Sequence, residues 1–553
     1  MDADRPAREH EPPPPTKGDD EIVRALRAGN RRALQIGVAS LVASLAVAYF
    51  WPQHGHAVRS VIRGEVGLDG EPRYEPSHAI DPTALAMIDF GRVHRELIPR
   101  WMIALDTASR AHNRYWDQRA DAAFEELAIE ISPDENLSEL LGSSHRALRR
   151  DPLGMARRLD YWLWSYNRYL DQADVPWRLE ASLTLGNDER VIFRTYSYEV
   201  LTDGENAAGQ RLRLIRRADP TNLVEGWMGR TDDPAEGSFV LMRRVLHFSV
   251  RHLWPALHPA LDDRRPDNER AWVQWVREEV RAQLDPDTFA LLSETAVDQQ
   301  ALIEVAAAIE ARASCGNRFR ILSLPYNGLS AASVAALEAA VARSQLRPEC
   351  PEVTLDEAAR IIGASERLSS TPGLEDAVER LAMVMAGAVS AHELRHGADG
   401  DDIACPGCPD GLDGLARAEV SAYLSAMADE RYAYLSLFQA CTSASDGTIQ
   451  SQARDAVIDA ILPYGCAGPT LYGLPILARE IETDLFGVRE RIELPELPDR
   501  VLLLPRRPGV EVAMANRGTP LTSGWGVRVA PVRGDRESAR DDAEEPPPPS
   551  AAE

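Results

Sequence analysis

Two histidines four residues apart, His392 and His396, with Glu393 beside the first, are the residues of this chain best spaced to do chemistry. On a helix, positions four apart project from one face, one turn above the other. Two imidazoles so placed can share one zinc ion, and the adjacent carboxylate can take a proton from water at that ion. Residues 381–389 upstream are apolar and suit a helix, so the motif closes a buried helix. Catalytic zinc takes three protein ligands and keeps a fourth position open, so a third ligand must come from elsewhere in the chain.

The stretch from Val389 to Gly397 resembles the HExxH zinc metallopeptidases, the zincins. Val389, three residues before the first histidine, fits their pattern; Arg395 departs from it, because uncharged residues usually stand between the histidines. Glu419 follows His396 by 23 positions, on the next long helical stretch. That order resembles the gluzincin branch and implies Glu419 as the third metal ligand. Ala422 fits the small residue that often stands three positions after it, whereas Tyr423 occupies the place of an aspartate that commonly holds the first histidine. The metzincin alternative draws its last ligand from Asp402, but the glycine it needs at 399 is Asp399, with Gly400 one place on.

The resemblance covers about residues 370–440. It implies Zn²⁺ as cofactor, Glu393 as general base, and a protein or peptide as substrate. Tyr423, Tyr432 and Tyr434 are available as donors to a developing oxyanion. The competing reading is a non-catalytic envelope or interaction protein, in which the histidines are solvated and Glu419 pairs with Arg417 or Arg431.

Around this motif the expected fold class is α+β and mostly helical: an N-terminal transmembrane helix, a small antiparallel sheet, and a zincin-like helical catalytic region. Leu, Trp, Ile and Ala recur at helical spacing over 82–171, and the aromatic run 161–169 within it reads as core packing. The period changes to two over 178–185, 190–200, 211–215 and 238–242, with turns at 186–188 and 203–209, so 172–260 reads as the sheet region. His247, His252 and His258 share no helix face well and read as structural. The catalytic region, 261–490, reads as helices over 269–283, 296–313, 330–345, 354–367, 373–397 and from 415 towards 441. Residues 318–325 are the candidate edge strand for pairing with a substrate backbone.

Residues 33–51 carry no charge and are long enough for a bilayer core, with Arg24, Arg27, Arg31 and Arg32 before them. They read as a single-pass membrane anchor, with a cleaved signal peptide as the rival reading, 1–32 a disordered cytoplasmic tail, 52–81 a linker containing His54 and His56, and the rest extracytoplasmic, periplasmic or extracellular. Residues 491–533 read as a loop and β region and 534–553 as a disordered tail. A net charge of -25 argues against a nucleic-acid partner, whose phosphates need clustered Lys and Arg. All six cysteines follow the anchor, which suits disulfides in an oxidising compartment. Cys315 with Cys350, Cys441 with Cys466, and a structural Cys405–Cys408 bridge are the neighbouring pairs among fifteen possible pairings.

Overall fold

The structure, a computed structural model, describes residues 76–503 apart from 112–113, 151, 186–190, 220–226, 232–235, 265–266, 313–318, 320–323, 401–402, 409–413, 444–447, 463–464, 468–472 and 502. The described chain divides into two compact units, one of residues 76–93, 100–175 and 181–195, the other of 94–99, 176–180 and 196 onward.

The first unit is built on four helices, α1 (Ile98–Ala111), α2 (Arg114–Ile131), α3 (Glu135–Arg150) and α4 (Pro152–Gln172). Leu127, Ile131, Leu137, Leu141, Trp162, Tyr166 and Tyr169 are buried, so the aromatic run packs inward at 162, 166 and 169. Arg149 ties α3 to α2 through Asp117 at 2.7 Å and Asp121 at 3.0 Å.

The strands β1 (Trp177–Leu185), β2 (Val191–Glu205), β3 (Arg211–Arg217), β4 (Gly229–Arg230) and β5 (Ser238–Leu241) form a sheet ordered β1-β2-β3-β5-β4; residues 177–180 of β1, 196–205 of β2 and all of β3, β4 and β5 belong to the second unit. The β2–β3 hairpin closes on Asn206, whose side-chain oxygen accepts from the N–H groups of Ala208 and Gln210. β3 and β5 pair in parallel, Leu212 opposite Ser238 and Ile215 opposite Leu241, and β4 returns antiparallel to β5 at the edge.

Helices follow: α5 (Met242–Phe248), α6 (Asp267–Gln283), α7 (Pro286–Ala311), α8 (Ala331–Gln345), α9 (Leu355–Ser370), α10 (Leu374–Asp399), α11 (Gly414–Met427), α12 (Ala433–Thr442), α13 (Ile449–Ile461) and α14 (Leu474–Phe486). α10 is the axis of the core. It is buried on every side from Leu381 to Val389, which is why that stretch is apolar all round and shows no amphipathic stripe. Small residues let neighbours close in: a Cβ at Gly387 would stand 2.4 Å from the Tyr432 hydroxyl. Beyond α14, residues 488–501 and 503 run without regular structure back along α10. Arg395 donates to the carbonyl of Glu490 near one end of α10; near the other, the Leu503 N–H donates to Glu379 and Arg500 pairs with Asp376.

The expected fold class is corrected on two counts. The sheet is mixed rather than antiparallel, because residues 218–237 between β3 and β5 are long enough for a crossover, where a hairpin needs only a tight turn. No helix among the described residues is long and apolar enough to cross a membrane. The span expected at 33–51 lies outside those residues, so a membrane helix is no part of the fold described. The single helix expected from 415 towards 441 is broken at 428–432 as well. Asp429 draws the Arg431 N–H into a local turn at 2.9 Å, and Glu279 caps the new helix α12 by accepting from the N–H groups of Tyr434 and Leu435, both at 2.9 Å.

Cys405 is bonded to Cys408 and Cys441 to Cys466. Cys350 is also in a disulfide, while Cys315, its expected partner, lies outside the described residues.

Candidate metal centre

α10 delivers His392 and His396 from its last two turns, and α11 packs alongside to bring up Glu419. Their Nε2 atoms lie 3.2 Å apart, and Oε2 of Glu419 stands 3.5 Å from that of His392 and 3.8 Å from that of His396. Among the described residues this is the one group of three or more His, Cys, Asp or Glu side chains close enough to hold a metal ion.

The donor set fits zinc on chemistry and on spacing. Two imidazoles and a carboxylate are a catalytic zinc set, and ligands about 2.0–2.1 Å from a tetrahedral ion lie about 3.3 Å from one another. The three side chains are 12–15 % exposed, so the site is shielded yet reachable. Burial would raise the Glu419 carboxyl, but hydrogen bonds and charge from the two imidazoles hold it well below the usual carboxylate range. Burial likewise opposes protonation of His396, and the hydrogen bond to Glu419 with the charges of Glu393 and Glu419 outweighs it and raises that imidazole.

Glu393, beside the first histidine, lies against the sheet edge and is only 5 % exposed. Burial pushes its carboxyl up. Gly229 of β4 makes room for it, since a Cβ there would sit 2.4 Å from Cγ and 2.5 Å from Oε1 of Glu393. The Thr231 hydroxyl, next along the chain, is 3.2 Å from Oε2 of Glu393 and 2.9 Å from its carbonyl oxygen, and the Ser238 hydroxyl is 3.0 Å from the same carbonyl. Nothing in the sequence marked Gly229 or Thr231; the signal available was a glycine and a hydroxyl two apart just before a strand.

The other expected residues fall in different places. Tyr423 meets His392 edge to face at 4.6 Å, so an aromatic ring fills the place of the expected aspartate. Tyr432 packs over Gly387 and Tyr434 stacks on Trp275, 5.6 Å between centroids. Glu419 pairs with the histidines, and Arg431 pairs with Asp429 instead. Arg395, the residue that departs from the zincin pattern, is buried and bound to Asp399 at 2.9 Å, so its charge is spent inside the protein. His247 is half-buried, and loss of water around it lowers its imidazole to about 4 with help from Arg244 and Arg251; His252 packs on Phe248 and His258 accepts from the Ala260 N–H. Asp402, His54, His56 and most of 318–325 lie outside the described residues.

Comparison of the chain with protein-family models, curated proteins and solved structures returns no match.

Proposed function

We propose that this centre binds zinc and hydrolyses peptide bonds in a protein or peptide substrate. The observation that carries the reading is the convergence of His392, His396 and Glu419 from two helices, with a buried carboxylate, Glu393, one residue from the first ligand. Bound zinc would supply Lewis acidity, acidifying water and polarising the scissile carbonyl. Glu393 takes one proton from the attacking water as its oxygen bonds to the carbonyl carbon, and passes that proton to the amine nitrogen as the C–N bond breaks. A carboxyl raised by burial is a better proton acceptor for this purpose than an exposed one. Thr231 and the absence of a side chain at Gly229 keep the carboxylate turned towards β4.

β4 is an edge strand beside Glu393 and can take an extended peptide by strand addition. The disulfides support an oxidising, extracytoplasmic compartment as the place of action.

The test is metal analysis of the purified chain beside a peptidase assay. One zinc per chain, lost with activity on chelation and regained on adding zinc, is the expected result. A folded chain that takes up no zinc would sink the reading in favour of a non-catalytic interaction protein.

A further inference from the structure

We propose that Arg489 is a positioning residue of the metal centre: it locks the helix carrying His392 and His396 to the helix carrying Glu419. The proposal rests on the zinc reading above.

The guanidinium of Arg489 reaches three elements at once. Nη1 donates to both oxygens of Asp399 on α10, at 3.0 and 3.2 Å. Nη2 donates to the Ser421 hydroxyl on α11 at 2.8 Å and to Glu482 on α14 at 2.7 Å. The Ser421 hydroxyl in turn donates to Asp399, so the two ligand helices are joined both directly and through the arginine. Arg395 completes the set, 2.9 Å from Asp399 and 3.1 Å from the carbonyl of Glu490. Two guanidiniums face two carboxylates, all 15 % exposed or less, and the Phe486 ring lies 4.5 Å from Cζ of Arg489.

The position of this bridge relative to the ligands is what gives it a role beyond stability. Asp399 lies three residues beyond His396 and Ser421 two beyond Glu419, so the bridge sits within one helical turn of both halves of the triad. Zinc affinity depends on holding three donor atoms from separate elements at fixed distances, and partners outside the ligand set typically account for about 10–100-fold in affinity. The planar fork of arginine suits the task, because it fixes direction as well as separation between Asp399 and Ser421. Removing it leaves the ligands chemically intact and their mutual distances free to drift.

The experiment uses the full chain with Arg489→Met, Ser421→Ala and Ser421→Thr, and Arg367→Met as a control at a distant ion pair with Asp298. Zinc affinity is measured by competition with a chromophoric chelator on protein whose far-UV CD matches wild type. The visible spectrum of the Co²⁺-substituted forms then reports ligand geometry, which a purely structural role would not alter. The expected result is a loss of about 10–100-fold in zinc affinity for Arg489→Met, with an altered Co²⁺ spectrum. Ser421→Ala should move the same way by less, Ser421→Thr should restore wild-type affinity, and Arg367→Met should change neither readout. Wild-type affinity and spectrum in folded Arg489→Met would overturn the positioning role and leave the zinc reading standing. A wild-type chain that takes up no zinc would overturn both. Should Arg489→Met fail to fold, equal affinities in Ser421→Ala and Ser421→Thr overturn the proposal, and the predicted difference supports it.

Discussion

The two halves of α10 hold their interior by different means. From Leu374 to Val389 the buried side chains are apolar or small, Glu379 being the exception, and contact is non-directional. From Ser390 to Asp399 the interior carries Ser390, Glu393 and Arg395, each with hydrogen-bonding partners in fixed directions. The first half can fail through lost volume. The second fails through lost geometry, and of the two halves it alone carries ligands of the proposed metal centre.

The largest effect expected from breaking the contrast is at the ligands. His392→Ala, His396→Ala and Glu419→Ala should each lose stoichiometric zinc, because two remaining donors cannot hold the ion. Glu393→Gln should keep zinc and lose turnover, since an amide cannot accept the proton. Metal content beside matched CD spectra checks both; zinc retained by folded Glu419→Ala would remove it from the ligand set.

Gly229→Ala tests geometry without touching a ligand. The added Cβ would overlap Cγ as well as the carboxylate of Glu393, so that side chain must leave its place against β4. Turnover should fall by about 10²-fold or more, the scale on which general bases act, with zinc content and melting temperature near wild type. Full activity in this variant would show that Glu393 works from another rotamer.

Leu381→Ala makes the complementary break in the apolar half. Leu381 is fully buried, so the cavity should cost about 2–5 kcal/mol of stability in denaturant titrations. Zinc affinity of the folded fraction should be unchanged; a matching fall in affinity would erase the distinction between the halves.

A half-buried carboxylate far less well compensated, Glu279, sharpens the same point. Burial raises Glu279 to about 7 in spite of the two N–H groups it accepts from α12. A carboxyl raised on folding contributes stability that is present below its unfolded value of 4.5 and is lost as pH rises to about 7. The loss is about 3 kcal/mol. Glu279→Gln should flatten that part of the stability profile, and identical pH slopes in variant and wild type from 4.5 to 7 would refute the shift.

The helices were the legible part of this chain. Expected ranges such as 269–283 and 354–367 lie close to α6 and α9, and Thr354 with Glu357 forms a capping box that marks a helix start in sequence alone. The triad was legible because His392 and His396 share one helix face and Glu419 lies on the next helix. The parallel pairing of β3 with β5 was not, since strand periodicity is blind to partner direction. Nor was the break at 428–432, which depends on Glu279, far off in sequence, capping α12. Arg395 looked like a defect in the motif because its partners, Asp399 and Glu490, become visible only once residues 488–501 are laid along α10.

That last segment has a consequence for timing. Arg489 follows Glu419 by 70 positions, so all three proposed ligands leave the ribosome well before the residue that braces them. Domains begin to fold while still being made. On this arrangement a nascent chain can form α10 and α11 early, yet the brace between them closes only after α14 and residue 489 have emerged. If the centre binds zinc as proposed, synthesis itself then delays full metal affinity until the brace at residue 489 has emerged.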